Sequence, residues 1–337
     1  MVLNVTADAA RGDGFLTVHP GGTDRPVASN LNYRRGDTVA NAVVSPVGAD
    51  GRICVFTSAS TDLVIDVIGW LPGTAPASES GCPSTPLFPS MRVVAMYGND
   101  VSAALGVLGE QPPAQAAQRL AAIAEPFKVG DRPVKGAFEL IATIATSFPG
   151  AAGLYRAPST AAQVQRYLDV AVANDLLLIL DIQPGRSDFL TELKRYDAFL
   201  RHPNVHAALD PEWHVGPGQI PGRVVGQVSA AEVNAVADYL ASIVATEGLT
   251  EKLLVVHQFQ ERMLTERDQL REPPGVVLTI HMDGFGTRAQ KLETYGIVAA
   301  DPPLNNGFKL FYDEDVNIFR PTEVLALDPV PDLITYQ

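Results

Sequence analysis

Asp181, Asp210, Glu212, His257, Gln258, His281, Asp283, Asp313 and Glu314 share one property: each stands at or just past the polar end of a continuous apolar run. The runs are LLLILDIQPG (176 to 185), VHAALDPEWHV (205 to 215), KLLVVHQF (252 to 259), VVLTIHMDGFG (276 to 286) and FKLFYDED (308 to 315). Two carboxyl groups facing each other can act on a glycosidic bond, one as general acid and the other as nucleophile or base. Amides, carboxylates and imidazoles around such a pair bind hydroxyl groups.

Apolar runs without alternation read as parallel strands covered on both faces. Parallel α/β folds place their chemistry just past the C-terminal ends of such strands, so these residues are expected to share one site. Three further runs, 91 to 98, 134 to 145 and 332 to 337, complete a set of eight strands from residue 91 to residue 337. Between them lie helical patterns at 113 to 127, 160 to 175, 188 to 200, 229 to 248 and 288 to 296. Ser159 or Thr160 starts the second, and Ser229 with Glu232 forms a capping box for the fourth. Eight strand-helix units over this length indicate a (β/α)8 barrel of the TIM type, with an open doubly wound sheet as the alternative. Gly98, Gly106 and Gly109 are too widely spaced for a dinucleotide fingerprint, and no GxxxxGK[ST] occurs, so no phosphate cofactor is expected.

The barrel reading lists what its mouth contains. Strand one offers Tyr97 and Asn99, strand two Glu139, strand three Asp181 and Gln183, and strand four Asp210, Glu212, Trp213 and His214. Strands five to eight add His257, Gln258 and Gln260, then His281 and Asp283, then Tyr312, Asp313 and Glu314, then Tyr336. Carboxylates, amides and aromatic faces together suit a carbohydrate polymer, and Glu212, Asp210, Asp313, Glu314 and Asp181 are the carboxyls that could supply a catalytic pair. The others are expected to bind substrate. Plainer roles stand beside these: Asp210 before Pro211 as a turn acceptor, and Asp313 to Asp315 as a solvated acidic loop. A metal-dependent hydrolase using His257, His281, Asp283 and Asp181 is the competing chemistry. Strand one reads VVAMYGN and lacks His-x-His, so neither a metal nor a cofactor is expected. A barrel that binds glycan without cleaving it is the reading from another class.

Residues 1 to 73 follow a different pattern, with short alternating segments separated by Gly, Asp, Asn and Pro, as in a small all-β module. Residues 74 to 90, dense in Pro, Ser and Thr, read as a linker. Cys54 and Cys82 are too few for a disulfide scaffold; they either pair or remain a buried and a free thiol. The balance of 25 basic against 38 acidic residues, a net charge of −13, argues against nucleic acid and anionic membrane surfaces. No run is long enough to span a bilayer, so no membrane insertion is expected. The N-terminal residues lack the basic and apolar regions of a signal peptide, and they open inside a strand-like pattern, so the precursor is expected to extend upstream.

VLNVTA, GFLTVHP, ASNLNY, TVANAVVSPVG and ICVFTSASTDLVIDVIGW, in that order, resemble a repeat module of secreted and cell-surface proteins of actinobacteria. That resemblance implies export; Trp70 and Tyr33, the module's only Trp and Tyr, are a thin basis for a sugar platform, so a spacer or wall-association role is expected. Members often carry a cysteine where this chain has Gly21 or Gly22, which points Cys54 toward Cys82. LDIQPGRSDF, LDPEWHVGPGQIPG, LLVVHQF, MDGFG and NGFKLFYDED are similar to barrel domains of uncharacterised actinobacterial secreted proteins and lipoproteins. The strand-four and strand-seven ends, LDPEW and FYDED, also resemble those of retaining glycosidases with (β/α)8 barrels. By that likeness Glu212 or Asp210 would be the acid/base and Asp313 or Glu314 the nucleophile, although that family shows Asn-Glu where this chain has Asp-Pro-Glu.

Overall fold

A computed structural model describes residues 1 to 23, 25 to 48, 51 to 69, 86 to 150 and 152 to 337. The chain divides into two compact units, Met1–Ser84 and Thr85–Gln337.

In the first unit two antiparallel sheets share one core. One orders its strands Val39–Val44, Val2–Asp8 and Asp62–Gly69; the other orders Leu31–Tyr33, Gly14–Pro20 and Ile53–Thr57. Period-two alternation sends Leu3, Val5 and Ala7 inward to meet Leu16, Val18 and Leu31. Tyr33 is buried in this core and its hydroxyl donates to the Ala59 carbonyl at 2.6 Å, so it offers no platform for a sugar ring. Trp70, Cys82 and most of the expected linker lie outside the described residues.

The second unit is a closed barrel of eight parallel strands. They are β1 (Arg92–Gly98), β2 (Val134–Ala145), β3 (Leu177–Ile182), β4 (Val205–Leu209), β5 (Lys252–Gln258), β6 (Val276–Met282), β7 (Asn305–Leu310) and β8 (Leu333–Tyr336). Each pairs with its chain neighbours, and β8 pairs with β1 to close the ring. Closure excludes the open-sheet alternative and removes every exposed edge. A short strand, Arg156–Pro158, adds antiparallel to the end of β2, an addition the apolar pattern did not reveal.

Strand residues alternate between two cores, which is why the runs are apolar throughout. Outward residues such as Met96, Phe138, Leu180, Leu254 and Phe308 pack under the helices. Inward residues such as Val93, Ala95, Ile179, Ala208 and Val255 fill the barrel's lower interior. Leu87 and Phe88 join this inner cluster, so residues assigned to the linker instead plug the barrel's N-terminal end. Thr160, Ser229 and Thr287 each cap a helix with a reciprocal capping box, to Gln163, Glu232 and Gln290. The expected helix at 188 to 200 is two short pieces, Phe189–Leu193 and Asp197–Leu200. Among the described residues no helix is long and apolar enough to cross a membrane.

Candidate active site

Alternation decides which strand residues reach the interior. In its upper layer they are Tyr97 on β1, Glu139 on β2, Asp181 on β3, His257 on β5, His281 on β6, Lys309 on β7 and Thr335 on β8, with Asp210 just past β4. Apolar residues fill the lower interior, so these polar groups sit in a poorly solvated layer and must satisfy one another.

His257 holds the centre. Its Nε2 lies 2.9 Å from Glu139 Oε1 and its Nδ1 lies 3.0 Å from Asp283 Oδ2, all three residues being buried. Burial alone would lower the imidazole's proton affinity, but hydrogen bonds to the two carboxylates outweigh it and raise the pKa well above the ordinary value. Both nitrogens therefore donate. The same contacts act on the carboxyls: burial raises Glu139, yet the His257 hydrogen bond and charge bring it down to about 2. Asp283 is likewise lowered against its burial by His257. Thr335 Oγ1 donates to the remaining Glu139 oxygen at 2.9 Å.

Around this ion triad stand carboxyls that keep their protons. Burial, with the charges of Asp210 and Glu139 and against that of His257, raises Asp181 well above its ordinary value. Its Oδ2 accepts from the Tyr97 hydroxyl at 2.9 Å, and burial also keeps that phenol neutral. Gln183 ties the group together. Its Oε1 accepts from the Ala145 amide at 3.1 Å, which fixes the amide orientation, and its Nε2 donates to Tyr97 at 3.1 Å and to Asp210 Oδ2 at 3.3 Å.

Asp210 and Glu212 differ in what they are free to do. Asp210 caps the short 3-10 turn Pro211–Trp213, accepting from the Glu212 amide at 3.2 Å, so both its oxygens are engaged. The expected turn role therefore coexists with a place in the site. Glu212 is half-buried, and among the described residues its carboxyl makes no hydrogen bond. Burial raises both carboxyls to about 7; for Glu212 the Asp283 charge adds to the effect.

A cavity of about 560 Å³ opens above these groups. Tyr97, Gln183, Asp210, Glu212, Asp283 and Lys309 are its polar lining, with Trp213, Phe259, Phe285 and Phe311 supplying aromatic surface. Its size and mixture suit a small ligand or a few sugar units.

Several expected site residues are placed elsewhere. Strand β7 ends at Leu310, three residues before the expected limit, so Asp313 is exposed beyond it and does not line the cavity. Glu314 lines the rim but is exposed. Asp315 serves structure: it pairs with buried Lys291 at 2.7 Å and accepts from the Phe311 and Gly286 amides. The inward residue of β7 is Lys309, where the glycosidase likeness required a carboxylate. Tyr336 faces the outer core, and Tyr312, which stacks on it at 5.4 Å, is also outside. Gln258 points outward and donates to the Gln260 and Glu261 carbonyls. His214 holds the Gln227 carbonyl at 2.7 Å against the edge of Phe189. Asn99 braces the β1 loop against the Ile141 carbonyl and Ser159. His281 is buried, and burial together with the His257 charge lowers it to about 3, so it is a neutral ring edge-on to His257 at 5.2 Å.

Lys309 and Thr335 were not singled out from the sequence. Their signal was present: each is a polar residue between two large apolar ones, Phe308 and Leu310 or Ile334 and Tyr336, which is the mark of an inward position on a barrel strand.

Asp210, His257 and Asp283 each bring a ligand-type atom within 4.8 Å of the other two. With His257 doubly protonated, its Nδ1 is taken up by Asp283 and its Nε2 by Glu139, so hydrogen bonds to these two carboxylates hold the ring in place. The short spacing does place Asp210 and Asp283 side by side.

Two predictions arise here. A Cβ added at Gly307 would lie 2.0 Å from His281 Nδ1. Gly307→Ala should therefore destabilise the barrel by about 1–3 kcal/mol of overpacking, read as a lower urea midpoint at unchanged m. The second concerns pH. A carboxyl whose folded pKa is raised binds more protons in the native state, so it costs nothing below its unfolded value near 4 and its full penalty above about 7. Glu212→Gln should thus gain stability relative to the parent as pH climbs from about 4 to 8, measured by paired thermal melts. A gap that is constant with pH would contradict the raised pKa.

No family model matches the chain, and no curated protein matches it. Similar solved structures include oxaloacetate acetylhydrolase in complex with 3,3-difluorooxalacetate, at 14% identity over 74% of this chain and 77% of that one, with a TM-score of 0.40. A Podospora anserina β-(1,4)-mannanase shares 12% identity over 99% of this chain and 80% of its own, at 0.34. A D-allulose 3-epimerase from Methylomonas sp. shares 14% over 73% and 84%, also at 0.34.

Proposed function

We propose that the barrel is a glycoside hydrolase, with Glu212 as general acid and Asp283 as the ionised carboxylate that answers the positive charge developing on the sugar. One observation carries this reading. Two carboxyls line the same cavity with opposite proton affinities, Glu212 raised to about 7 and Asp283 lowered by His257. Environments that push two carboxyls apart define an acid and its partner. Glu212, unbonded and facing the cavity, gives its proton to the glycosidic oxygen as the bond breaks; water then adds to the anomeric carbon and returns a proton to the Glu212 carboxylate. Asp283, held through Oδ2, stays charged throughout, while Asp210 and Gln183 fix the floor on which Glu212 stands.

The catalytic pair therefore differs from the one expected. Glu212 keeps its role, and Asp283 from β6 replaces Asp313 and Glu314. Aromatic rings of Trp213, Phe259, Phe285 and Phe311 would cover the apolar faces of the sugars. The natural substrate in this reading is an extracellular or cell-wall polysaccharide. It rests on the N-terminal segments' likeness to exported modules, which also makes that unit a spacer or wall-association element and the protein a secreted one. Incubation with a panel of plant and bacterial wall polysaccharides, read as new reducing ends, tests the activity. Release by the native protein and none by Asp283→Asn is expected; a native protein inert on every polymer would leave a binding barrel instead.

A further inference from the structure

Lys309 is the one cation lining the cavity among the described residues; it acts electrostatically on the carboxyls around it without touching one. Its residue is only 3% exposed. The ammonium sits 3.5 Å from the centre of the Tyr97 ring and 5.3 Å from that of Phe311, and among the described residues it makes no hydrogen bond and no ion pair. An ammonium has three N–H donors, and leaving them unmet in a poorly solvated wall is costly. The ring face offsets part of that cost but accepts no conventional hydrogen bond. The backbone at Lys309 is pinned, its carbonyl accepting from Lys291 Nζ at 2.7 Å, and the ammonium rests on the Tyr97 ring face. A fixed, buried, donor-rich cation facing a cavity is an acceptor site awaiting its acceptor.

We propose that the polysaccharide is an acidic one, and that Lys309 binds the carboxylate of a uronic acid unit next to the scissile bond. This inference rests on the glycosidase reading and names its substrate class. Charge decides between anions. Dianionic phosphate needs more than one cation or donor cluster, as in arginine forks, a lysine with a glycine-rich loop, or backbone amides at a helix start. The cavity lining here has one ammonium, no arginine and four carboxyl side chains, Asp210, Glu212, Asp283 and Glu314. Such a site tolerates one negative charge held at one place. A carboxylate on a sugar ring fits that description, since its oxygens can reach Lys309 while the ring lies against the aromatic side of the cavity at Phe311. A neutral hydroxyl would satisfy one donor but would not make the charge-assisted contact that a carboxylate makes.

The test uses Glu212→Gln protein, in which bond cleavage is slowed by orders of magnitude, and titration calorimetry with glucuronate and galacturonate oligosaccharides. Each is compared with its own methyl ester, which keeps the ring and removes the charge. At least one acid form should bind tenfold or more tighter than its ester. Adding Lys309→Met should abolish that preference, and Lys309→Arg should retain part of it. Equal affinity of every acid and ester pair, or no binding of any acid form, overturns the inference, and both are read without the Lys309 variants. Failure here is separable from failure of the hydrolase reading. A protein that releases reducing ends from neutral polymers alone keeps the reading and loses this inference, whereas uronate binding by a native protein that cleaves nothing does the reverse.

Discussion

Replacing Glu212 by glutamine should lower kcat/KM on any cleaved polysaccharide by about 10²- to 10⁴-fold, the usual contribution of a general acid. Glutamine keeps the shape of the side chain but cannot give up a proton to the leaving oxygen. Substrates with good leaving groups, such as nitrophenyl glycosides, need less protonation and should lose much less. The native rate should also fall above about pH 7, where Glu212 ionises, and that alkaline limb should disappear in the variant. Folding is not expected to suffer, because the Glu212 carboxyl makes no hydrogen bond among the described residues. A variant with native activity toward poor leaving groups would remove Glu212 from the mechanism.

Replacing His257 by leucine should produce the largest loss of stability. Glu139 and Asp283 would keep their buried positions and lose the cation between them, at 2.9 and 3.0 Å. Breaking a buried ion pair on one side costs about 3–5 kcal/mol, because the charge left behind is uncompensated. For a unit of this size that corresponds to a melting point lower by roughly 6–20 °C. Glu139→Gln in the same background removes one stranded charge and should recover part of the loss, giving a coupling energy that neither single change predicts. Activity should fall as well. Without His257 the Asp283 carboxyl loses the hydrogen bond and charge that hold its pKa down, so it takes up a proton and no longer answers positive charge on the sugar. If the variant melts like the parent, the triad is not what organises the barrel interior.

The barrel was legible in the sequence because burial on both faces erases alternation in a parallel strand, and the eight runs from MRVVAMYG to DLITYQ stand out for that reason. Where each strand stops was less legible. FKLFYDED reads as one strand into an acidic cluster, but β7 ends at Leu310, and Asp315 turns back to seal Lys291. Apolar character shows that a strand is covered and says nothing of which residues face inward. That parity separates Lys309 from Phe308 and Thr335 from Tyr336, and it is fixed by pairing with strands far away in the chain. His257 and Asp283 were both visible as polar strand ends. Their partnership with Glu139 was not, because β2, β5 and β6 meet only when the ring closes. Leu87 and Phe88 looked like linker since Pro and Ser surround them, and only the open bottom of a barrel explains their burial.

The account turns on one carboxyl holding its proton beside another that has lost it, and carbon-13 NMR titration of the side-chain carboxyls tests this without any knowledge of the sugar. Two resonances should titrate near pH 7, one vanishing in Glu212→Gln and the other in Asp210→Asn, while the Asp283 resonance stays that of a carboxylate down to below the ordinary aspartate range. Carboxyls that all titrate near pH 4 would contradict it.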